Sequence, residues 1–251
     1  MRFKMIGLLL PILLIFLWFL ATIESNTYLE PSPEVVFTAA ISVFSGGEII
    51  LDSFSTLLRL FFGFVIGASL AVFMGLIIAR ISLVEDFSAT TINFMRFIPP
   101  LALVPLTILL LGIGEFSKVF IIAWTVFFPV YINTFSGVKN LNRKLFWVAS
   151  TFGATEWQIL SKVILPAAIP YIITGARIGV GFAFSVVIAA ELIGAFSGLG
   201  FRMWLLESVF RVDKMLVYIL LLGVYGLIAD NIFVYLKNKY FFWSEQYAHL
   251  S

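Results

Sequence analysis

Six long apolar stretches constrain this chain more than any other feature of its sequence. They occupy residues 5–23, 57–79, 97–114, 119–138, 171–196 and 215–236. A helix that crosses a bilayer needs about 20 predominantly apolar residues, whereas the strands of a membrane barrel alternate in polarity over about ten residues. The unbroken apolar runs therefore predict an all-α fold, a polytopic membrane helix bundle with six transmembrane helices in a single domain over residues 1–251.

The composition agrees with a surface that faces lipid. Hydrophobic residues make up 61% of the chain and charged residues 12%, with a mean hydropathy of +1.08. Soluble domains average about 45–50% apolar and about 25% charged residues, so one core could not bury this much apolar surface. The formal net charge of +2 gives no reason to expect a nucleic-acid partner. The absence of cysteine excludes thiolate metal sites, and we expect neither a metal nor a cofactor.

The distribution of Lys and Arg predicts the orientation, because these residues collect on the cytoplasmic side. With the N-terminus inside, the inner segments carry Arg2, Lys4, Arg80, Arg96, Lys139, Arg143, Lys144, Lys162, Lys237 and Lys239. The outer segments carry Lys118, Arg202, Arg211 and Lys214. Both termini are therefore predicted inside. The first stretch could instead be a cleaved signal peptide, but it is longer than the usual apolar region of about 7–15 residues.

Small residues spaced four apart predict where the helices pack closely, because association in lipid depends on tight contact. The second stretch contains Gly63, Gly67, Ala71 and Gly75, and the fifth contains Gly175, Gly179 and Ala183. Whether these faces contact the same chain or a second copy stays open. In the third stretch, Pro99 and Pro100 precede Pro105, which predicts either a helix start followed by a kink or a deformable segment lining a pathway.

The loop over residues 139–170 is predicted to form two helices on the cytoplasmic face. Asn142 is a candidate cap for a first helix through residue 152, which Gly153 would end with a positive φ. Thr155 and Gln158 predict a capping box for a second helix that ends at Pro166. That helix would present an apolar stripe covered by the chain's own membrane helices or by a cytoplasmic partner: Trp157, Leu160 and Ile164.

Four ionisable residues lie within the apolar stretches: Arg59, Arg177, Glu191 and Asp230. A charge at the centre of a span costs about 2.5–3.5 kcal/mol on insertion scales, so each is a candidate for function or pairing. The two arginines could extend to the interface, and Asp230 could form a structural pair. Glu191 could pair with Arg59 or act in a gate. For an anionic solute, Arg59 would be the pathway cation and Glu191 its partner in the empty state.

Residues 147–166 resemble the EAA loop of ABC importer permeases. Ala149, Gly153 and the Ile164-Leu165-Pro166 triplet stand at the matching positions, whereas Trp147 and Val148 replace the Glu and first Ala of that motif. Segments that resemble the nitrate, sulfonate and taurine importer permeases follow in order over roughly residues 28–240: 29–35, 96–101, 112–118, 128–134 and 190–200.

The resemblance implies the permease subunit of an ATP-driven importer in a bacterial cytoplasmic (inner) membrane. It implies a homodimer, two cytoplasmic ATP-binding subunits and an extracytoplasmic solute-binding protein for a small anionic solute. Contact with the ATPase would fall to Ala149, Gly153, Ala154, Thr155, Trp157, Leu160, Leu165 and Pro166. The pathway or gate candidates are Arg59, Pro99, Pro100 and Glu191.

The chain is not expected to be an enzyme, since no G-x-x-x-x-G-K-[ST] phosphate-binding loop occurs in it. An alternative is a secondary transporter or channel subunit that works without an ATPase, although no internal repeat supports it. An intramembrane enzyme would need convergent catalytic groups, and the stretches contain no His, no Cys and no acid pair.

Overall fold

The computed structural model describes residues 2–23 and 29–240, apart from the side chains of residues 2–8, 143 and 240. The side chains of Arg2, Lys4 and Arg143, which contribute to the predicted orientation, therefore lie outside the described part. Within these ranges the secondary structure is helical, with no strand. The helices are α1 (Arg2–Ala21), α2 (Pro33–Ser45), α3 (Glu48–Arg80), α4 (Ser82–Arg96), α5 (Pro100–Leu111), α6 (Glu115–Lys139), α7 (Arg143–Thr151), α8 (Glu156–Ile159), α9 (Leu165–Gly194), α10 (Leu199–Ser208) and α11 (Val212–Tyr240).

Among the described residues, four continuous helical segments are long and apolar enough to cross a membrane: Glu48–Arg80, Glu115–Lys139, Glu156–Gly194 and Val212–Lys239. Helices α4 and α5 qualify together as a fifth span, although they meet at a bend of 95°. The part of α1 whose side chains are described, Leu9–Ala21, is an apolar helix that is shorter than these four segments. The predicted helical membrane bundle is confirmed, whereas the count of six spans and the inside position of both termini remain predictions.

The third apolar stretch differs from the single span expected over residues 97–114. Helix α4 ends at Arg96 and α5 begins at Pro100, because Pro99 lies between them in extended backbone with ψ 126°. Prolines lack the N–H that would continue a helix, and the residue before a proline is forced out of helical geometry. Helix α5 has 12 residues, so it is about 18 Å long, less than the hydrocarbon thickness of about 30 Å.

Two compact units divide the chain, one formed by Met1–Thr56 with Phe196–Val224 and the other by Leu57–Ala195 with Tyr225–Ser251. The prediction of one domain over residues 1–251 stays a prediction. In the second unit, α6 packs against α3 and α9 around a buried apolar core that includes Ala71, Ile122, Val126, Val130, Ala183 and Val187.

Glycines bring α6 close to its two neighbours in the second unit. A Cβ on Gly67 would lie 2.4 Å from the carbonyl oxygen of Ala123, and one on Gly63 would lie 2.5 Å from the Ile122 side chain. On α9, a Cβ on Gly175 would lie 2.8 Å from the Pro129 oxygen. Gly75 and Gly179 face α6 in the same manner, towards Thr134 and Val126. Both small-residue stripes therefore pack against α6 of the same chain.

Candidate functional site

The turn between α7 and α8 is fixed by backbone hydrogen bonds around Gly153. Asn142 caps α7 by accepting a hydrogen bond from the Lys144 amide at 2.9 Å. At the other end, the Gly153 amide donates to the Ser150 oxygen and the Ala154 amide to the Ala149 oxygen, at 2.9 and 3.1 Å. This arrangement is a Schellman motif, and it requires the positive φ of 75° that Gly153 adopts. The predicted cap and glycine turn are confirmed.

The second helix of this segment starts as predicted but does not end at Pro166. Thr155 and Gln158 form a capping box, with the Thr155 hydroxyl accepting from the Gln158 amide and the Gln158 side chain accepting from the Thr155 amide. A π turn over Leu160–Ile164 then joins α8 to α9. The wider turn accommodates Pro166, which cannot donate to the carbonyl four residues earlier. The predicted end at Pro166 is therefore wrong, and the segment runs into a membrane-spanning helix.

The predicted apolar stripe divides into a buried part and an exposed part. Ile164 is fully buried and Leu160 is half-buried, in a core with Ala79, Val138 and Ala168. Trp157, by contrast, is 73% exposed. Sequence reasoning missed Ile159, the last residue of α8, which is buried in the same core.

Three large aromatic side chains are exposed around the Gly153 turn. They are Trp147, Phe152 and Trp157, with exposed fractions of 66%, 86% and 73%. They lie in or beside the segment for which the sequence predicts contact with an ATPase, and that role stays a prediction. Two ion pairs support the region, one between Arg80 at the end of α3 and Glu156 of α8, the other between Lys139 and Glu85.

A buried charge cluster joins α3, α6 and α9 in the second unit. Nη1 of Arg59 lies 2.6 Å from Oε1 of Glu191, and both side chains are almost fully buried. The Glu115 carboxylate accepts two further hydrogen bonds from Arg59, from Nε at 2.6 Å and Nη2 at 2.8 Å. Lys118 adds a contact of 3.2 Å to Glu115. The formal charges of these four side chains, two cations and two carboxylates, sum to zero.

The contribution of Glu115 was not predicted from the sequence. Pairing was weighed only between Arg59 and Glu191, which lie in two of the apolar stretches. Glu115 precedes the fourth stretch and belongs to α6 as its first residue. One signal could have indicated this contact. Glu115 is an acidic residue at the start of one span, and Arg59 is predicted at a similar depth in the membrane in another span.

Arg177 and Asp230 also form an ion pair, between α9 and α11 in the second unit. Nε and Nη2 of Arg177 donate to the two carboxylate oxygens of Asp230 at 2.8 and 2.9 Å. The pair is partly exposed, with fractions of 38% and 42%. The structural pair suggested for Asp230 is therefore present, and its partner is Arg177. Arg177 does not extend to the membrane interface as an unpaired side chain.

In the first unit, side chains of α3 cap the start of α10. The Gly198 amide donates to Oδ1 of Asp52 at 3.0 Å, and the Leu199 amide donates to the Thr56 hydroxyl at 2.9 Å. Arg202 donates to the other oxygen of Asp52 at 2.8 Å. Burial disfavours the charged Arg202, but its hydrogen bond to Asp52 and the nearby Glu48 outweigh this effect and raise the Arg202 pKa. Arg202 therefore stays charged.

A mostly apolar cleft of about 530 Å³ lies beside the bend between α4 and α5. Its walls come from α5, α6 and α9, and the described lining includes Arg96, Pro100, Trp124, Phe128, Ile178 and Ser185. Of the four pathway candidates, only Pro100 is among these residues. No group of acidic residues suited to a metal ion occurs in the part of the chain that the structure describes.

Comparison with known proteins decides the family. The sequence profile of the binding-protein-dependent transport system inner membrane component family matches residues 67–241. The chain belongs to this family. It is a multi-pass permease component of ABC transport in the cytoplasmic membrane, and the predicted resemblance is confirmed.

Relatives of the permease cover nearly its whole length. An ABC transporter permease protein of Methanocaldococcus jannaschii is 36% identical over 93% of this chain and 90% of the relative. The protein SsuC of Bacillus subtilis, named for transport of aliphatic sulfonates, is 34% identical over 96% of this chain and 88% of its own. These relatives are permease subunits rather than ATPases, consistent with a chain that does not itself hydrolyse ATP.

A solved structure supports the fold of the permease. A chain in the crystal structure of a bacterial alginate ABC transporter, in complex with a periplasmic protein that binds an alginate pentasaccharide, matches with a TM-score of 0.66. The match covers 94% of each chain at 16% identity. This likeness supports the helical permease architecture alone.

Proposed function

We propose that two copies of this permease form the pathway of an importer for a small organic anion. A binding protein delivers the solute from outside, and two cytoplasmic ATP-binding subunits drive transport. The solute class is supported by the relative named for aliphatic sulfonates. The binding protein is supported by the structural neighbour, whose complex contains a periplasmic solute-bound protein.

The observation that carries the proposal is the exposed aromatic patch of Trp147, Phe152 and Trp157 around the Gly153 turn. The ATP-binding subunit docks on this patch, which supplies the desolvated aromatic anchors that dominate most interfaces. Since α8 continues through the π turn into α9, movement of the patch displaces a membrane-spanning helix. The eight residues predicted for the ATPase interface keep that assignment in this proposal. Six of them belong to the contact itself, whereas Leu160 and Pro166 transmit its movement through the connection from α8 to α9.

The decisive experiment is co-purification of the tagged permease with its ATP-binding subunit from the native membrane. The double variant F152N/W157N removes two exposed aromatics without touching the buried core. We expect recovery of the ATP-binding subunit to fall roughly tenfold or more, as expected for interface anchors. The matched control is F210N, because Phe210 is 70% exposed and lies in a segment predicted on the opposite face.

Equal recovery of the ATP-binding subunit with F152N/W157N and F210N would contradict docking at this patch. A permease that carries no ATP-binding subunit and still moves solute would favour the secondary transporter or channel. A tagged and an untagged copy expressed together test the homodimer, since the tagged copy should retain the untagged one.

A further inference from the structure

Arg96 is a cation at the bend between α4 and α5, and it contacts both clefts found next to that bend. The larger cleft has a volume of about 530 Å³ and the smaller one about 280 Å³. Both are lined by Arg96 and by Ile132 of α6. Arg96 is therefore accessible from two cavities at the bend.

No ion pair occupies the Arg96 guanidinium in the described part of the chain. Its recorded contact is with the ring of Phe97, at 4.9 Å from Cζ to the ring centroid. Arg59 differs sharply, because three of its nitrogens donate to Glu115 and Glu191. Glu85 lines the smaller cleft with Arg96, but its carboxylate pairs with Lys139. Arg96 is therefore the better placed of the two arginines to contact an anion.

The other polar groups along the larger cleft favour an anion as well. Nε1 of Trp124 is a donor that is buried without a hydrogen-bond partner in the described structure, and Trp124 lines the cleft. A buried donor without a partner is rare and costly. Ser185 contributes a hydroxyl group, whereas the Thr125 hydroxyl already donates to the Ile121 carbonyl oxygen at 2.8 Å. The described lining of this cleft contains no carboxylate. Phe128, Ile178 and Phe182 form apolar walls.

We infer that Arg96 and Trp124 form a solute subsite in which Arg96 binds the charged head of an organic monoanion and the apolar walls hold its hydrocarbon part. This inference rests on the proposed function and names the class of solute. The volume of the larger cleft lies within the range of small-molecule sites, about 300–1,000 Å³. Nitrate would leave the apolar walls uncovered. Taurine would bring an ammonium group into a cleft without a carboxylate.

The test measures binding of radiolabelled hexanesulfonate to the purified permease by equilibrium dialysis, with taurine and nitrate as competitors. We expect hexanesulfonate to bind at least tenfold more tightly than either. The variant R96Q should weaken binding about tenfold to a hundredfold, the range for loss of a hydrogen bond to a charged group. R96K, which keeps the charge, should lose less. W124F replaces the indole by a smaller ring without an N–H donor and should weaken binding roughly threefold to tenfold.

K214Q is the matched control, since it removes one cation from a residue that lines neither cleft. Unchanged binding by R96Q, or tighter binding of taurine or nitrate, would overturn the inference. So would loss of co-purified anionic phospholipid from R96Q with unchanged hexanesulfonate binding, because Arg96 would then contact lipid headgroups.

ATP-dependent uptake by the assembled complex in proteoliposomes separates this inference from the proposed function. If the wild-type complex takes up hexanesulfonate, and R96Q lowers this uptake while K214Q does not, the result supports both the importer and the Arg96 subsite. Uptake that is equal in all three contradicts the subsite and leaves the importer intact. Binding that depends on Arg96 without any ATP-dependent uptake contradicts the importer and leaves the subsite.

Discussion

The carboxylate of Glu191 lies 2.6 Å from Nη1 of Arg59, with exposed fractions of 0% and 4% for the two side chains. Glu115 holds the remaining side of the same guanidinium, although it is 62% exposed itself. The guanidinium thus joins α3 to both α6 and α9. This arrangement supports a structural role for the pair, while the pathway and gate roles suggested for Arg59 and Glu191 remain predictions.

Removing the buried partner of Arg59 should destabilise the permease far more than removing the exposed one. Loss of one member of a buried pair costs about 3–5 kcal/mol, because the other charge stays uncompensated, whereas exposed pairs contribute about 0–1 kcal/mol. We expect E191Q to lower the free energy of unfolding by about 3 kcal/mol and E115Q by about 1 kcal/mol. Unfolding in SDS, followed by circular dichroism, provides the measurement. Equal losses would contradict this account of the cluster.

Alanine at Gly67 should force α3 away from α6. Its Cβ would lie 2.4 Å from the Ala123 oxygen and 2.9 Å from the Ala123 Cα, and backbone atoms cannot move aside as a side chain can. Overpacking of this kind costs about 1–3 kcal/mol. The control is G223A in α11, where the added Cβ meets nothing within 4 Å. Thermal denaturation in detergent should show a loss for G67A only, and an unaffected G67A would refute the close contact.

Proline at Gly153 should uncouple the ATP-binding subunit from the permease. The φ of 75° at this position lies far from the value near −65° that proline enforces, so the turn between α7 and α8 cannot form. We expect solute-stimulated ATP hydrolysis by the complex to disappear while the membrane-spanning helices keep their thermal stability. G181A in α9, where the added Cβ meets nothing within 4 Å, is the control. Retained stimulation in G153P would argue against this turn as the site of coupling.

Loss of the Thr56 hydroxyl should expose the start of α10. The Leu199 amide donates to that hydroxyl in a buried setting, and an unpaired buried amide costs about 1–3 kcal/mol. Hydrogen exchange of a peptide covering α10 should therefore accelerate in T56A, by roughly tenfold or more. S53A serves as control, because the Ser53 hydroxyl is buried and has no hydrogen-bond partner within the described ranges. Similar exchange in T56A and S53A would show that the cap does not hold the helix.

The local signals in the loop between α6 and α9 were sufficient to predict its caps. Asn142, Gly153 and the Thr155–Gln158 pair act through neighbouring backbone groups, so their roles follow from short-range rules. Pro166 misled the same reasoning. A π turn continues the helix past that proline, and Ile159 and Ile164 pack there in a core with Ala79 and Val138, which come from other parts of the sequence.

The sequence alone determined that this is a helical membrane protein, because bilayer thickness and backbone hydrogen bonding allow few other structures for such apolar runs. The permease family was indicated separately, by the resemblance of residues 147–166 to the EAA loop. It also indicated the ionisable residues that needed partners. Only the tertiary structure decided that Arg59 binds Glu115 as well as Glu191, and that Arg96 lines two clefts with no ion pair to an acidic residue of the described ranges. Those facts depend on distances between helices far apart in the chain, which spacing along one helix does not specify.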